Sequence, residues 1–427
     1  MTAAMLAVFL LGLVIGLPIA TVMTGASIVP GLIDSSFSAN ISFVLRQIVS
    51  GADSLPILAV PMFVLSGEIM AKGKLSEKLF NVFSYFLGNL PGGLPCAVII
   101  TCLFYGAISG SGPATCAAVG GMTIPILISL GYEDKFCAAL CGTAAGLGVI
   151  IPPSIPFVIY GLATGTSVGA LFKAGVLPGV LIALCLMAYT IYYCKKHGED
   201  RERVRAKVTE LRERGFWHLF KDSFWALLTP VIILGGIYSG IFTPTEAAVV
   251  SVFYALIVSM FIYKTIRLRD IITICQSAVN SYGPIILVIA LATLLGRVFM
   301  LLGVANALTT FISTHVGSKF IFLLLVNIIL LILGMFIDVV PALTIIAPLL
   351  LPIANFFGVN PVHFGILITV NLAIGFITPP FGCNLFVAAR LVDKEVSYLS
   401  RMVLPFIAAF IIALVLITYI PWISLAL

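Results

Sequence analysis

Charge is scarce in this chain. Asp, Glu, Lys and Arg together make up 9% of 427 residues, while 61% are hydrophobic, with a mean hydropathy of +1.20. No soluble core needs that ratio; long apolar runs with charge confined to the joints mean a polytopic α-helical membrane protein. Ten-residue stretches of alternating polarity are also missing, which excludes a membrane β-barrel. The nine cysteines contain no CxxC and read as small apolar packing residues, and His197, His218, His315 and His363 have no metal-ligand spacing. A Walker A sequence and HExxH are both absent, which argues against ATP hydrolysis or metalloprotease chemistry. Gly165-Thr166-Ser167-Val168-Gly169 fits G-x-S-x-G but lies between two apolar spans, without the strand–turn–helix such a nucleophile needs, so it reads as a loop. A net charge of +6 would suit nucleic acid only if it were clustered on one soluble face; here it lies in a few loops and is a topology signal.

What is present is apolar length. Nine full crossings are expected: Ala3–Ile28, Leu55–Met70, Phe136–Thr164, Val168–Tyr193, Phe224–Ser239, Ala247–Tyr263, Pro284–Leu302, Phe364–Val392 and Met402–Ile420. The first has no basic leader and reads as a membrane helix, not a removed signal segment. Two further stretches, Leu94–Leu130 and Phe320–Phe357, are interrupted near their middles by short helix-breaking tips, which favours re-entrant hairpins. The one long hydrophilic loop, Lys195 to Gly215, should be cytoplasmic. With that choice nineteen of the 23 basic residues fall inside; Arg46, Lys173 and Lys319 fall outside and Arg297 lies within the membrane. This parity puts the N-terminus in the cytoplasm and the C-terminus outside.

The chain repeats itself at an offset of 227 residues. Between Pro125 and Pro153, eight of 29 ungapped positions are identical, and glycine and proline supply five of them. Pro152-Pro153 meets Pro379-Pro380, and Gly148 meets Gly375. These residues set backbone shape, so what repeats is architecture. Four crossings separate the two proline-broken helices, so the repeat is inverted, a recurring transporter plan. A proline pair removes amide donors and frees carbonyl oxygens that lipid cannot satisfy. Free carbonyls and nearby hydroxyls suit a hard cation such as Na⁺, and the half-helix amino ends favour an anionic group.

The first tip, Gly106 to Gly121, offers the hydroxyls of Ser109, Ser111 and Thr115 with Gly110, Gly112 and Pro113 holding the backbone open. The second, Gly334 to Thr344, carries Asp338 beside Pro341; a carboxylate in an apolar segment is a functional candidate, with helix capping as the bland alternative. Glu68 and Arg297 hold related positions in the two repeats and are expected to meet as a buried structural pair. Glu246 is expected to cap a helix start with Thr243 or Thr245 and Pro244 in its first turn.

Taken together, "SGSGPATCAAVGGMTIPI", "GYEDKFCAAL", "GTAAGLGVIIPPSIPFVIYG", "FTPTEAAVV" and "IGFITPPFGCNLFVAA" resemble the large membrane subunit of TRAP transporters, the tripartite ATP-independent periplasmic carriers, over about Ala3 to Ile420. The resemblance implies an all-α polytopic membrane protein, an inverted repeat with two re-entrant hairpins and two broken helices, working as an elevator-type ion transporter. It implies scaffold helices over 1–93, a transport half over 94–167, scaffold over 168–317 with a cytoplasmic loop at 195–221, a second transport half over 318–392, and a C-terminal scaffold helix over 393–427. It implies Na⁺-coupled import of an organic acid across a bacterial inner membrane, with a small membrane subunit and a periplasmic substrate-binding protein as partners. A first Na⁺ site would use Ser109, Ser111, Gly112, Gly148 and Pro152, and a second Asp338, Thr344, Gly375 and Thr378. Substrate would lie near Ser109, Pro113, Ser154, Asn384 and Asp338. The tips are hydroxyl-rich and poor in fixed cations, which suits a polyhydroxylated acid, and the local resemblance leans towards sialic-acid carriers, with C4-dicarboxylates next. The rival readings are a standalone Na⁺/carboxylate symporter, which would need no partner proteins, and a channel, which has no evident need for paired broken helices. A membrane enzyme has no catalytic cluster to support it.

Overall fold

The computed structural model describes residues 1–34, 37, 40–213 and 215–427. The first half runs α1 (Thr2–Val14), α2 (Ile19–Ile33), α3 (Ile41–Ala52), a 3₁₀ turn at Leu55–Leu58 leading into α4 (Ala59–Lys72), α5 (Leu75–Leu87), α6 (Gly93–Ser109), α7 (Gly112–Ser129), α8 (Asp134–Ala144), α9 (Ile155–Thr164) and α10 (Val168–His197). After α11 (Arg201–Glu213), the second half runs α12 (Phe216–Tyr238), α13 (Pro244–Ile257, continued by a π turn to Ile262), α14 (Leu268–Leu301), α15 (Val304–His315), α16 (Lys319–Gly334), α17 (Val339–Phe356), α18 (Pro361–Gly375), α19 (Cys383–Leu391), α20 (Val396–Tyr419) and α21 (Trp422–Leu425). Among the described residues there is no strand, and eight helical segments are long and apolar enough to cross a membrane by length and composition.

The 227-residue offset carries through the architecture. Shifted by it, α7 lands on α17 with identical bounds, and α5, α6, α8, α9 and α10 land on α15, α16, α18, α19 and α20. One difference is instructive. In the first half α3 and α4 are separated by Asp53-Ser54 and a 3₁₀ turn; the corresponding stretch of the second half is the single 34-residue α14, with Pro284 inside it. The crossing expected at Pro284–Leu302 therefore starts sixteen residues earlier, at Leu268.

Both interrupted stretches form helical hairpins, turning at Gly110–Ser111 and at Met335–Asp338. The first tip meets the break of the first broken helix, where the Ile155 amide donates to the Gly110 carbonyl at 3.4 Å. Helix α9 continues ten residues past that level, so the hairpin turns back short of the far end. Both proline pairs sit in the breaks, and both Pro–Pro bonds are cis.

Polar ties collect the basic loops at one end. Lys78 pairs with Asp222 at 2.9 Å, and the Tyr263 hydroxyl donates to the Asp222 carbonyl at 2.6 Å. Glu199 accepts from the Gly92 amide and the Tyr132 hydroxyl at 2.8 and 2.6 Å, and the Tyr398 hydroxyl donates to Asp134 at 2.9 Å. At the other end the Lys173 ammonium lies over Tyr238, Lys319 donates to the Gly358 carbonyl, and the Tyr160 hydroxyl donates to the Pro361 carbonyl.

Several expectations need correction. Ala3–Ile28 is not one crossing. The chain turns at Gly16–Pro18, and α1 packs back along α2, with a Cβ at Gly12 falling 2.9 Å from Val22. Proline at the start of α2 and glycine at a φ of 81° make the turn. The start of α1 is thus at the Arg46 end, which removes the single-crossing parity that put it in the cytoplasm. The hydrophilic loop is mostly helix: α11 buries Val204, Val208 and Leu211 against α5. Glu68 and Arg297 do not pair. Glu68 accepts from the Ser277 hydroxyl at 3.0 Å, and among the described residues Arg297 has a single hydrogen bond, to the Met300 sulfur at 3.9 Å. Of the nine cysteines, Cys275 and Cys383 are exposed rather than packed. Helices α10 and α20 pack chiefly on each other and on α6, α8 and α18. That grouping departs from the partition placing 168–317 and 393–427 wholly in a scaffold.

Glu246 behaves as expected. Thr243 accepts from its amide at 3.3 Å, and its carboxylate accepts from the Thr243 amide at 2.8 Å, with Pro244 in the first turn. Thr243→Ala should lower stability by about 1 kcal/mol, read as a reduced Tm of the purified protein, while Thr245→Ala leaves it unchanged. The G-x-S-x-G serine is also a cap: Ser167 accepts from the Ala170 amide at 3.3 Å, opening α10.

Candidate functional site

The two tips share a cavity of about 700 Å³. Ser109 to Pro113 of the first tip, Asp338 to Val340 of the second, Ile155 and Pro156 past the first break, and Phe376 of the second break line it. Glu68 and Lys72 of α4, with Ser281 and Pro284 of α14, complete the wall. Sequence reasoning did not place Glu68 here. The signal available was its position on the turn of α4 whose Gly67 has no side chain and so admits the tip.

At the first tip, helix α6 ends in a left-handed residue, Gly110 (φ 62°), where a Cβ would fall 2.8 Å from the Pro153 carbonyl oxygen. The Ser109 and Thr115 hydroxyls are 2.9 Å apart. The Ser111 carbonyl accepts from the Thr115 hydroxyl at 2.8 Å and the Thr115 amide at 3.1 Å, with the Ser109 hydroxyl 3.4 Å away. Gly148 lies directly against this cluster: a Cβ there would stand 2.6 Å from Thr115 Oγ1 and 2.9 Å from the Ser111 oxygen. Three oxygens from two side chains and one carbonyl, held at a helix break, are a donor set fitted to a small hard cation. Of the residues expected at a first cation site, Ser109, Ser111, Gly112 and Gly148 come together. Pro152 is buried in the adjoining break, and Thr115, noticed only as a tip hydroxyl, belongs to the cluster.

The second tip is related but not equivalent. Asp338 occupies the repeat position of Ser111, and Gly375 that of Gly148. Gly375 presses on Gly334 so closely that a side chain at Gly375 has no room, and one at Gly334 would be tight, 3.2 Å from the Gly375 Cα. Asp338 caps α17 through the Val339 amide at 2.7 Å and is exposed to the cavity. The capping expected of this residue is present, and the same side chain lines the cavity. The Thr378 amide donates to the Gly375 carbonyl at 3.1 Å and its hydroxyl to Ile374 at 2.7 Å. Thr344 is not brought to this group. It lies almost two turns along α17 from Asp338, donates to Val340 and Pro341 of its own helix, and lines a different cavity.

Of the expected substrate residues, Ser109, Pro113 and Asp338 line the shared cavity, while Ser154 and Asn384 stand one layer behind it. Ser154 opens α9, accepting from the Phe157 amide at 3.3 Å and donating to the Val149 carbonyl at 2.5 Å. Asn384 packs behind Gly112, donates to the Gly142 carbonyl at 3.2 Å, and leaves its Oδ1 buried without a partner. Both side chains bond to backbone close to a break.

Comparison with known proteins shows the family and the fold. Residues 6–423 match the family model of the tripartite ATP-independent periplasmic transporter, DctM component. The chain is 42% identical over 413 residues to the isethionate TRAP transporter permease protein DctMQ of Oleidesulfovibrio alaskensis, covering 97% of this chain and 64% of that one, so it spans under two thirds of that relative's length. It is 36% identical to the C4-dicarboxylate large permease DctM of Rhodobacter capsulatus, covering 97% of this chain and 98% of that one. It is also 36% identical to the sialic acid large permease SiaM of Vibrio cholerae, over 91% of this chain and 90% of that one. The fold is shared with the YdaH transporter of Alcanivorax borkumensis, at a TM-score of 0.66 and 13% identity over 95% of this chain and 97% of that one. With a family model covering nearly its whole length, the chain belongs to the DctM family of large membrane permeases of tripartite ATP-independent periplasmic transporters.

Proposed function

We propose that the chain is the transporting subunit of a Na⁺-coupled importer of organic acids in a bacterial inner membrane. It works with a small membrane subunit and receives cargo from a periplasmic binding protein. The observation that carries this reading is the single cavity walled by both hairpin tips, with the Ser109–Ser111–Thr115 oxygen cluster at its edge. A cation held there offsets an acid bound beside it, which couples the two. Motion would be of elevator type. The moving body comprises α6–α10 and α16–α20, which pack on one another, and slides along α4 and α14. Gly67 makes that contact smooth: its carbonyl accepts from the Tyr105 hydroxyl at 3.2 Å, and Ser109 lies against its Cα. Lys72 lines the cavity, so with the basic loops inside this reading takes the present arrangement as the inward-facing state.

The hydroxylated tips favour a sialic acid; the 42% identity to an isethionate permease favours a small sulfonate as the second reading. The test is uptake into proteoliposomes holding all three proteins, with sialic acid, isethionate and succinate supplied in turn and Na⁺ varied separately. Uptake of one acid, lost when Na⁺ is replaced by K⁺ and when the binding protein is left out, is the expected result. Undiminished uptake in K⁺ overturns the cation coupling, and uptake by the chain alone overturns the tripartite reading.

A further inference from the structure

A second cavity, of about 350 Å³, lies on the other side of the second hairpin. Helix α17 divides the two: its first turn, from Asp338, faces the larger cavity, while Thr344 and Pro348 face the smaller. The smaller cavity lies toward the Arg46, Lys173 and Lys319 end, because its wall includes the last turns of α9 and α14 and the α3–α4 joint at Ser54. Like the larger one, it is bounded by scaffold helices on one side and by the hairpin bundle on the other.

Its electrostatics are simple. Arg297 is exposed, and among the described residues its guanidinium makes no ion pair and touches only the Met300 sulfur. The remaining polar side chains on the wall are the hydroxyls of Ser50, Ser54, Thr293 and Thr344. Asp53 neighbours Ser54 in sequence but does not line the cavity and forms no ion pair with Arg297. The larger cavity carries both signs, with Glu68 beside the first tip and Lys72 one turn further along α4. A guanidinium without a carboxylate, surrounded by hydroxyl groups in a low-dielectric crevice, is a receptor for a planar or tetrahedral acid group. Its forked donors bind two oxygens at once, and the hydroxyls take the rest.

We infer that the Arg297 cavity is a separate anion-binding site, which takes the carboxylate or sulfonate of the cargo on the outer face before the hairpin tips close on it. This rests on the organic-acid reading above. In the raised position of the moving bundle the tips would pass in front of Arg297; in the present position they face Glu68. An acid therefore meets an unpaired cation where it enters, and where it leaves it meets the carboxylates of Glu68 and Asp338 with Lys72 one turn beyond.

Two measurements test it. The first needs no transported cargo. Ser54→Cys places a thiol on the wall, and its rate of modification is read with a negatively charged sulfonate thiosulfonate reagent and with a positively charged ammonium one, after subtraction of the exposed native thiols Cys275 and Cys383. With Arg297 present the anionic reagent should react at least fivefold faster than the cationic one, and Arg297→Gln should abolish that preference. An unchanged ratio overturns the site. The second is uptake by the complete complex. Arg297→Gln should raise KM for the acid fivefold or more while leaving half-saturating Na⁺ unchanged, and Arg297→Lys should recover part of the loss. A KM within twofold of wild type overturns the role in cargo capture. Failure of the wild-type complex to transport any acid would instead overturn the functional reading, and the thiol experiment would still decide the anion site.

Discussion

Gly148→Ala should lower Na⁺-dependent uptake by tenfold or more, although it adds one methyl group. In a free helix the change would be mildly stabilising, because alanine loses less backbone entropy than glycine on folding. Here the new Cβ would stand 2.6 Å from Thr115 Oγ1 and 2.9 Å from the Ser111 carbonyl oxygen. Neither can retreat cheaply. That carbonyl holds the Thr115 amide and hydroxyl, and Thr115 holds Ser109. Behind Gly148 there is no room either, since a Cβ on Gly106 would already fall 2.5 Å from its Cα. Overpacking of this kind costs about 1–3 kcal/mol, and the tip moves to relieve it. The displaced atoms are the proposed cation donors, so the loss should appear as a higher half-saturating Na⁺ before it appears in protein yield. Gly235→Ala is the matched control: it lies in α12 with nothing within 4 Å of its Cβ, and uptake should be unchanged. Wild-type uptake by Gly148→Ala would move the cation elsewhere. Gly375→Ala extends the test to the second break, where Gly334 blocks the same methyl.

The features legible in the sequence are those that proline and glycine encode. Pro152-Pro153, Pro379-Pro380, Gly148 and Gly375 dictate local backbone shape whatever surrounds them, so the breaks, the hairpins and the repeat could be read without tertiary information. The turn at Gly16–Pro18 obeys the same rule, but it sits inside an unbroken apolar run, where hydropathy alone argues for one long helix. The opposite bias hid α11. Its charge outweighs Val204, Val208 and Leu211, whose spacing marks an amphipathic helix lying on α5. Side-chain partnership was less legible. Glu68 and Arg297 are near-equivalent in the repeat, and an inverted repeat sends equivalent positions to opposite faces, so they line separate cavities. Ser154 and Asn384, expected at the substrate, do not line the shared cavity: a residue beside a break serves the backbone first, and both side chains bond to it, with Asn384 Oδ1 left over.

Asp338 is where the two repeats part company, and Asp338→Asn should separate its two roles. Asparagine caps a helix about as well as aspartate, so the bond to the Val339 amide, 2.7 Å in the native tip, survives and Tm should not change. What disappears is a full negative charge facing the shared cavity. A carboxylate about 4 Å from a cation contributes about 4 kcal/mol at an effective dielectric of 20, and less where the cavity admits water. Half-saturating Na⁺ should therefore rise by about 10- to 100-fold, with KM for the acid following through the coupling. Asp338→Ala removes both functions and should add a stability loss of about 1 kcal/mol. If Asp338→Asn keeps the wild-type Na⁺ response while Asp338→Ala loses only stability, the residue is a cap and nothing more. The first repeat has Ser111 at the equivalent position, where a carbonyl and neighbouring hydroxyls do the holding. A single formal charge shared between two otherwise similar tips makes the second site the stronger attractor for a cation.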